Sequence, residues 1–80
     1  MKNLKDLREW LSEKLKSKRE SESLTMRDVG KSLGKPHSIV GKVEHQQRKL
    51  EVCEFIEYCQ HINACPVTMF SELVEQHNNG

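Results

Sequence analysis

Residues 25–44, TMRDVGKSLGKPHSIVGKVE, contain two short amphipathic segments that meet at a glycine. Gly34 suits the left-handed backbone conformation that ends a helix, and Pro36 suits the first turn of the next one. Gly30 is small enough to let the second segment cross the first closely. The stretch therefore predicts two helices that are joined by a tight turn and cross at a steep angle.

Thr25 and Asp28 match a capping box, which predicts that the first of these helices covers about residues 26–33. The second begins at or beside the proline, and its Val40 and Val43 lie on one face, where they can meet apolar residues of the first helix. The opposite face is polar, with His37, Ser38, Gly41, Lys42 and His45. A helix with one buried and one polar face is typical of a helix-turn-helix, whose second helix enters the DNA major groove.

Apolar residues at helical spacing predict three further helices and no strand. One runs to about residue 20 and carries the stripe Leu4, Leu7, Leu11 and Leu15. Another covers about residues 51–62, with an apolar face made of Val52, Phe55, Ile56, Cys59 and Ile62. The last begins at Pro66, after a left-handed stop at Asn63. We expect one all-α, compact five-helix domain over residues 1–80, with residues 77–80 frayed.

Composition excludes several classes of protein. With 31% charged and 35% hydrophobic residues, the chain has no apolar run near the ~20 residues that span a bilayer. MKNLKDLREW lacks the apolar region of a signal peptide, so we expect a cytoplasmic protein without a membrane partner. Neither the cysteines nor the histidines have zinc-ligand spacing, and nothing indicates a nucleophile with its base, so we expect no metal, no cofactor and no enzymatic activity. Cys59 fits a core position, whereas a redox role of Cys53 or Cys65 stays open.

Charge is divided unevenly along the chain. Residues 1–50 contain all 13 Lys and Arg and seven Asp or Glu, a net charge of +6. Residues 51–80 contain five Glu and no Lys or Arg, a net charge of −5. A basic half suits contact with phosphate, and an acidic half suits a surface that faces away from DNA or meets another partner.

The chain resembles the DNA-binding domains of the lambda repressor and Cro superfamily, the Xre family of bacterial and phage regulators, over about residues 7–75. The resemblance rests on R-x4-LT ending at Thr25, V-G-x2-LG ending at Gly34, S-x-V-x2-VE ending at Glu44, and F-I-x2-C-x2-I ending at Ile62. It implies a five-helix fold that binds double-stranded DNA. It also implies a structural ion pair between Arg19 and Glu44, which periodicity does not reveal.

The same resemblance implies the positions that contact DNA. Those at base edges are His37, Ser38, Gly41 and Lys42. Those at phosphates are Thr25, Met26, Arg27, Lys35, Arg48 and Lys49. The family often has a glutamine where this chain has Met26, so Arg27, backbone N–H groups at that helix start and the loop residues Arg48 or Lys49 are the alternatives for the same phosphate.

Two classes of function remain open. The first is a dimeric transcription regulator, a repressor on a two-fold operator, with Met69, Leu73 and Val74 at the dimer interface and Val67 and Phe70 turned inward. The second is the antitoxin of a toxin–antitoxin pair, which binds a toxin protein through its acidic helices and regulates its own operon. A neighbouring gene for a small basic toxin distinguishes them. The sequence has no effector domain, so we expect no regulation by a small molecule.

Overall fold

The computed structural model describes residues 2–79, and these form five helices without a strand. The helices are α1 (Leu4–Ser21), α2 (Met26–Leu33), α3 (His37–Glu44), α4 (Val52–His61) and α5 (Pro66–Asn79). The predicted all-α fold with a central helix-turn-helix is confirmed. Every helix lies within two residues of its predicted bounds, except that α5 continues where fraying was expected.

Local signals account for most of the helix boundaries. Asn3 caps α1, because its side chain accepts a hydrogen bond from the backbone N–H of Asp6. Gly34 follows α2 with φ of 70°, and Asn63, with φ of 59°, follows α4 in the same left-handed region. Glu51 and Glu54 form a capping box at the start of α4, which the sequence analysis did not include.

One core holds the five helices together. Its buried side chains come from every helix: Leu15, Val29, Val40, Val43, Phe55, Tyr58, Cys59, Ile62 and Met69. The apolar face predicted for α4 is wrong at two positions, because Val52 and Ile56 are exposed and Tyr58 is buried in their place. Leu4, at the start of the α1 stripe, is also exposed.

The prediction of which face of α5 is buried is wrong. Met69 is 5% exposed and belongs to the core, whereas Phe70 is 56% exposed and Val67 is 74% exposed. Leu73 is half-buried and Val74 is exposed. Helix α5 has two apolar stripes at helical spacing, and packing against α1 and α4 selects the one that contains Met69 and Leu73.

The end of α5 is ordered as a helix through Asn79, whereas Gly80 lies outside the described residues. The backbone N–H of Lys2 donates to the carbonyl oxygen of His77, and Lys14 on α1 pairs with Glu72 on α5 at 3.3 Å. These contacts attach α5 to α1 and to the residues that precede it. Fraying of residues 77–80 stays a prediction.

Candidate nucleic-acid interface

The angle between α2 and α3 depends on the absence of a side chain at Gly30. A Cβ atom there would lie 2.9 Å from the carbonyl oxygen of Lys35 and 3.0 Å from the backbone N of His37. The N–H of Lys35 donates to the Gly30 carbonyl oxygen at 2.9 Å, which holds the turn against α2. Because these neighbours are backbone atoms, a larger residue at position 30 would displace α3. Gly30 therefore sets the position of α3.

Helix α3 is buried on one side and exposed on the other. Val40 and Val43 are in the core. His37, Ser38 and Lys42 are exposed. The residues that the sequence predicted for base contact thus share the solvent side of a helix whose other side is fixed in the protein.

Gly41 is half-buried on α3, and the available space does not require a glycine there. A Cβ atom at Gly41 would lie 3.6 Å from the sulfur of Met26, which is an ordinary contact. The carbonyl oxygen of Gly41 lies 2.7 Å from Nδ1 of His45, which donates to it in the tautomer that carries the proton on Nδ1. The imidazole of His45 is thereby held against the end of α3.

The start of α2 is closed by the capping box predicted from the sequence. The Asp28 N–H donates to the Thr25 hydroxyl at 3.0 Å, and the Thr25 N–H donates to the Asp28 carboxylate at 2.9 Å. These hydrogen bonds hold the pKa of Asp28 below its usual range. Thr25 and Arg27 are exposed. The Asp28 N–H is used by the cap, and the other first-turn N–H groups of α2 are the ones that can bind an anion.

Met26 differs from the other predicted phosphate contacts. Its side chain is half-buried and packs against the core. A thioether has no hydrogen-bond donor, so only the backbone of Met26 can donate to a phosphate. The side chain serves packing between α2 and α3.

The loop after α3 brings two basic residues to the surface. Lys49 is exposed, whereas Nη2 of Arg48 donates to the Glu54 carboxylate at 2.7 Å. This hydrogen bond holds the pKa of Glu54 below its usual range, with help from the backbone N–H of Glu51. Glu54 was not predicted from the sequence, although its spacing of three residues from Glu51 at a helix start is the capping-box pattern.

The ion pair implied by the resemblance is present between α1 and the end of α3. Nε of Arg19 lies 2.6 Å from Oε2 of Glu44, and Nη2 lies 3.1 Å from Oε1, so the contact is bidentate. A third nitrogen, Nη1, donates to the carbonyl oxygen of Leu24 at 2.7 Å. Hydrogen bonding to Glu44 raises the pKa of Arg19. Both side chains are buried, and their role is to fix α3.

Residues 2–79 contain neither a cluster of potential metal ligands nor a helix suited to crossing a membrane. No group of three or more His, Cys, Asp or Glu side chains in this range has an arrangement that could hold a metal ion. None of the five helices combines the length and the apolar composition that a membrane crossing requires.

Cys59 is in the core, as predicted, and Cys53 and Cys65 are exposed.

Comparison with known proteins supports the fold. No protein-family model matches the chain, and no curated protein matches it. A solved structure of an XRE-family like protein from Pseudomonas syringae pv. tomato str. DC3000 is similar, with a TM-score of 0.86 and 29% sequence identity. The similarity covers 90% of this chain and 88% of that one. The chain therefore has an Xre-like helix-turn-helix fold, as the resemblance in its sequence predicted.

Proposed function

We propose that this chain is a sequence-specific DNA-binding transcription regulator, a repressor that acts as a dimer on a two-fold operator. The observation that carries the proposal is the exposed polar side of α3, where His37, Ser38 and Lys42 face solvent while Val40 and Val43 are buried. Because the core holds α3 in place, its exposed side chains can enter a major groove without a rearrangement of the helix.

The side chains on α3 suit different roles at base edges. Lys42 donates to O6 and N7 of guanine, and Ser38 serves as donor or acceptor to several bases. His37 donates or accepts according to its protonation and tautomer. Gly41 has no side chain to read a base, and we propose that it allows the α3 backbone to approach the DNA closely.

Phosphate contacts position the domain on the duplex. We assign them to the exposed Arg27, Lys35 and Lys49, and to the first-turn N–H groups of α2. Arg48 contributes when its guanidinium bonds to Glu54 and to a phosphate at once, since an arginine has five N–H donors.

The dimer surface that we propose is the outer face of α5. Met69 and Leu73 lie on the buried stripe of α5 and are removed from the predicted interface, whereas the exposed Val74 remains. Phe70 and Val67 join Val74, because both are exposed on the same helix. An exposed phenylalanine among aliphatic side chains is the kind of residue that anchors an interface.

Selection from a random duplex library tests the proposed function. The chain should enrich one inverted repeat, and Lys42→Ala should lose discrimination at one base pair in each half-site, about 1–3 kcal/mol. Lys16→Ala, which removes an exposed charge from α1, is the matched control and should keep the preference. A library that yields no enriched sequence contradicts the proposal.

A second candidate function is the antitoxin role, and it is favoured by apolar residues outside α5. Val52 is 73% exposed and Ile56 is 42% exposed on α4, in the acidic half of the chain. Such a face suits a small basic toxin. Co-purification with a defined toxin from an adjacent gene, lost in Ile56→Glu and kept in Lys16→Glu, would favour this role.

A further inference from the structure

A cleft of about 360 Å³ lies between α1 and the segment that follows α3. This volume falls within the range of roughly 300–1,000 Å³ that small-molecule sites occupy. The cleft is distinct from the exposed side of α3, because it is lined by Val43, on the core side of that helix, and not by His37, Ser38 or Lys42.

The interior of the cleft is apolar. Leu15 and Val43 line it, and both are almost completely buried. Leu11 and Leu50, which are half-buried, also line it. Ser12 is the polar residue at this depth, and its hydroxyl already donates to the Val43 carbonyl oxygen at 3.1 Å. The interior therefore accepts an aliphatic chain or a ring better than a second polar group.

The charged residues of the cleft are all basic. Lys5 and Arg8 come from α1, and Arg48 and Lys49 come from the loop before α4. The ion pairs found within residues 2–79 use Arg48 but none of the other three. Three cations thus border an apolar interior without a carboxylate partner of their own in the described part of the chain.

We propose that this cleft binds a small amphipathic anion, with the apolar body against Leu11 and Leu50 and the carboxylate among Lys5, Arg8 and Lys49. Charge complementarity selects the anion and excludes a cation. The apolar interior selects a carboxylate that carries a chain or ring, because a bare anion leaves this surface uncovered.

Such a ligand would affect DNA binding, a consequence that rests on the proposed function. Arg48 and Lys49 border the cleft and are also candidates for phosphate contact. A carboxylate held by Lys49 competes with a phosphate for the same ammonium group. By linkage, the ligand lowers the affinity for DNA, and DNA lowers the affinity for the ligand by the same factor.

Calorimetric titration of the full chain with submicellar decanoate, without DNA, tests the ligand site. We expect saturable binding of decanoate. Acetate, which has the carboxylate without the apolar chain, should not bind. Decyltrimethylammonium, which has the apolar chain with a positive charge, should not bind either. Arg8→Glu should weaken decanoate binding about tenfold or more, and Lys16→Glu, the same charge change on the same helix but outside the cleft, should not.

Backbone amide chemical shifts provide a second readout on the wild-type protein, and we expect changes at Leu11 and Leu50 on adding decanoate. Absence of binding, equal binding of the cationic surfactant, or equal loss in both charge variants would overturn the proposal. If decanoate binds as expected but does not lower the affinity for the selected duplex, the ligand site stands and the coupling to DNA is refuted.

Discussion

Arg19 and Glu44 connect the end of α1 to the end of α3 by a bidentate contact, with Nε of the arginine 2.6 Å from one carboxylate oxygen. The same guanidinium donates to the backbone at Leu24, in the link that leads into α2. One buried ion pair therefore orders both helices of the helix-turn-helix relative to α1.

Removal of one partner should be costly, because it leaves the other charge buried. We expect Arg19→Met and Glu44→Gln each to lower the free energy of unfolding by about 3 kcal/mol or more. The double variant Arg19→Met/Glu44→Gln should lose less than the sum of the two, because it buries no unpaired charge. Urea denaturation of the four proteins measures the coupling, and additive losses would mean that the pair is not coupled.

Substitution by alanine should have opposite effects on stability at Gly30 and at Gly41. Gly30→Ala places a Cβ atom against backbone at 2.9 Å, so we expect a loss of about 2 kcal/mol or more in stability. Gly41→Ala meets only the Met26 sulfur at 3.6 Å and should gain up to about 1 kcal/mol from helix propensity. Thermal unfolding of both variants gives the comparison, and equal effects would contradict the assigned close crossing at Gly30.

The Arg48–Glu54 ion pair should limit how strongly Arg48 contacts DNA. Glu54→Gln keeps a side-chain acceptor for the α4 cap but removes the competing charge, so affinity should rise and the slope of log affinity against log salt should steepen. Lys49→Ala should flatten that slope by about one unit without changing sequence preference. Filter binding across a salt series tests both, and a slope that neither variant changes removes the loop from the interface.

The outer face of α5 should carry the dimer contact. Phe70→Glu should give a folded monomer, because Phe70 is 56% exposed and contributes little to the core. Ser17→Glu, an added charge at an exposed position of α1, should remain dimeric. Sedimentation measures the mass of each. A wild-type chain that is monomeric both alone and on its operator, or a dimeric Phe70→Glu, would refute this surface.

The cysteines should react with iodoacetamide in an order set by their surroundings. A hydrogen bond from the Thr68 side chain and backbone N–H groups of Thr68 and Val67 lower the pKa of Cys65, whereas burial raises the pKa of Cys59 to about 11. Because the thiolate is the reactive form, Cys65 should react early and Cys59 only on unfolding. Between pH 9 and pH 7 the Cys65 rate should fall less than that of free cysteine. Thr68→Val should reduce this difference without abolishing it, because the two backbone N–H groups remain. Mass spectrometry follows each site.

Sequence alone determined where the helices begin and end, because those signals are local. A capping box, a left-handed residue or a proline acts within one turn of chain. Thr25 and Gly34 were sufficient for both boundaries of α2, and Pro66 was sufficient for the start of α5. The small residue at Gly30 and the polar side of α3 were also predictable, since one turn connects α2 to α3 and leaves few arrangements.

Tertiary structure alone decided which side of α5 is buried. The apolar positions of α5 form two stripes, one through Met69 and Leu73 and one through Val67, Phe70 and Val74, and both have helical spacing. The periodicity of the two stripes is the same, so the choice depends on contact with α1 and α4, which forms only when the helices pack. The basic cleft has the same origin, because its side chains come from α1 and from the loop before α4 and meet only after the helices pack.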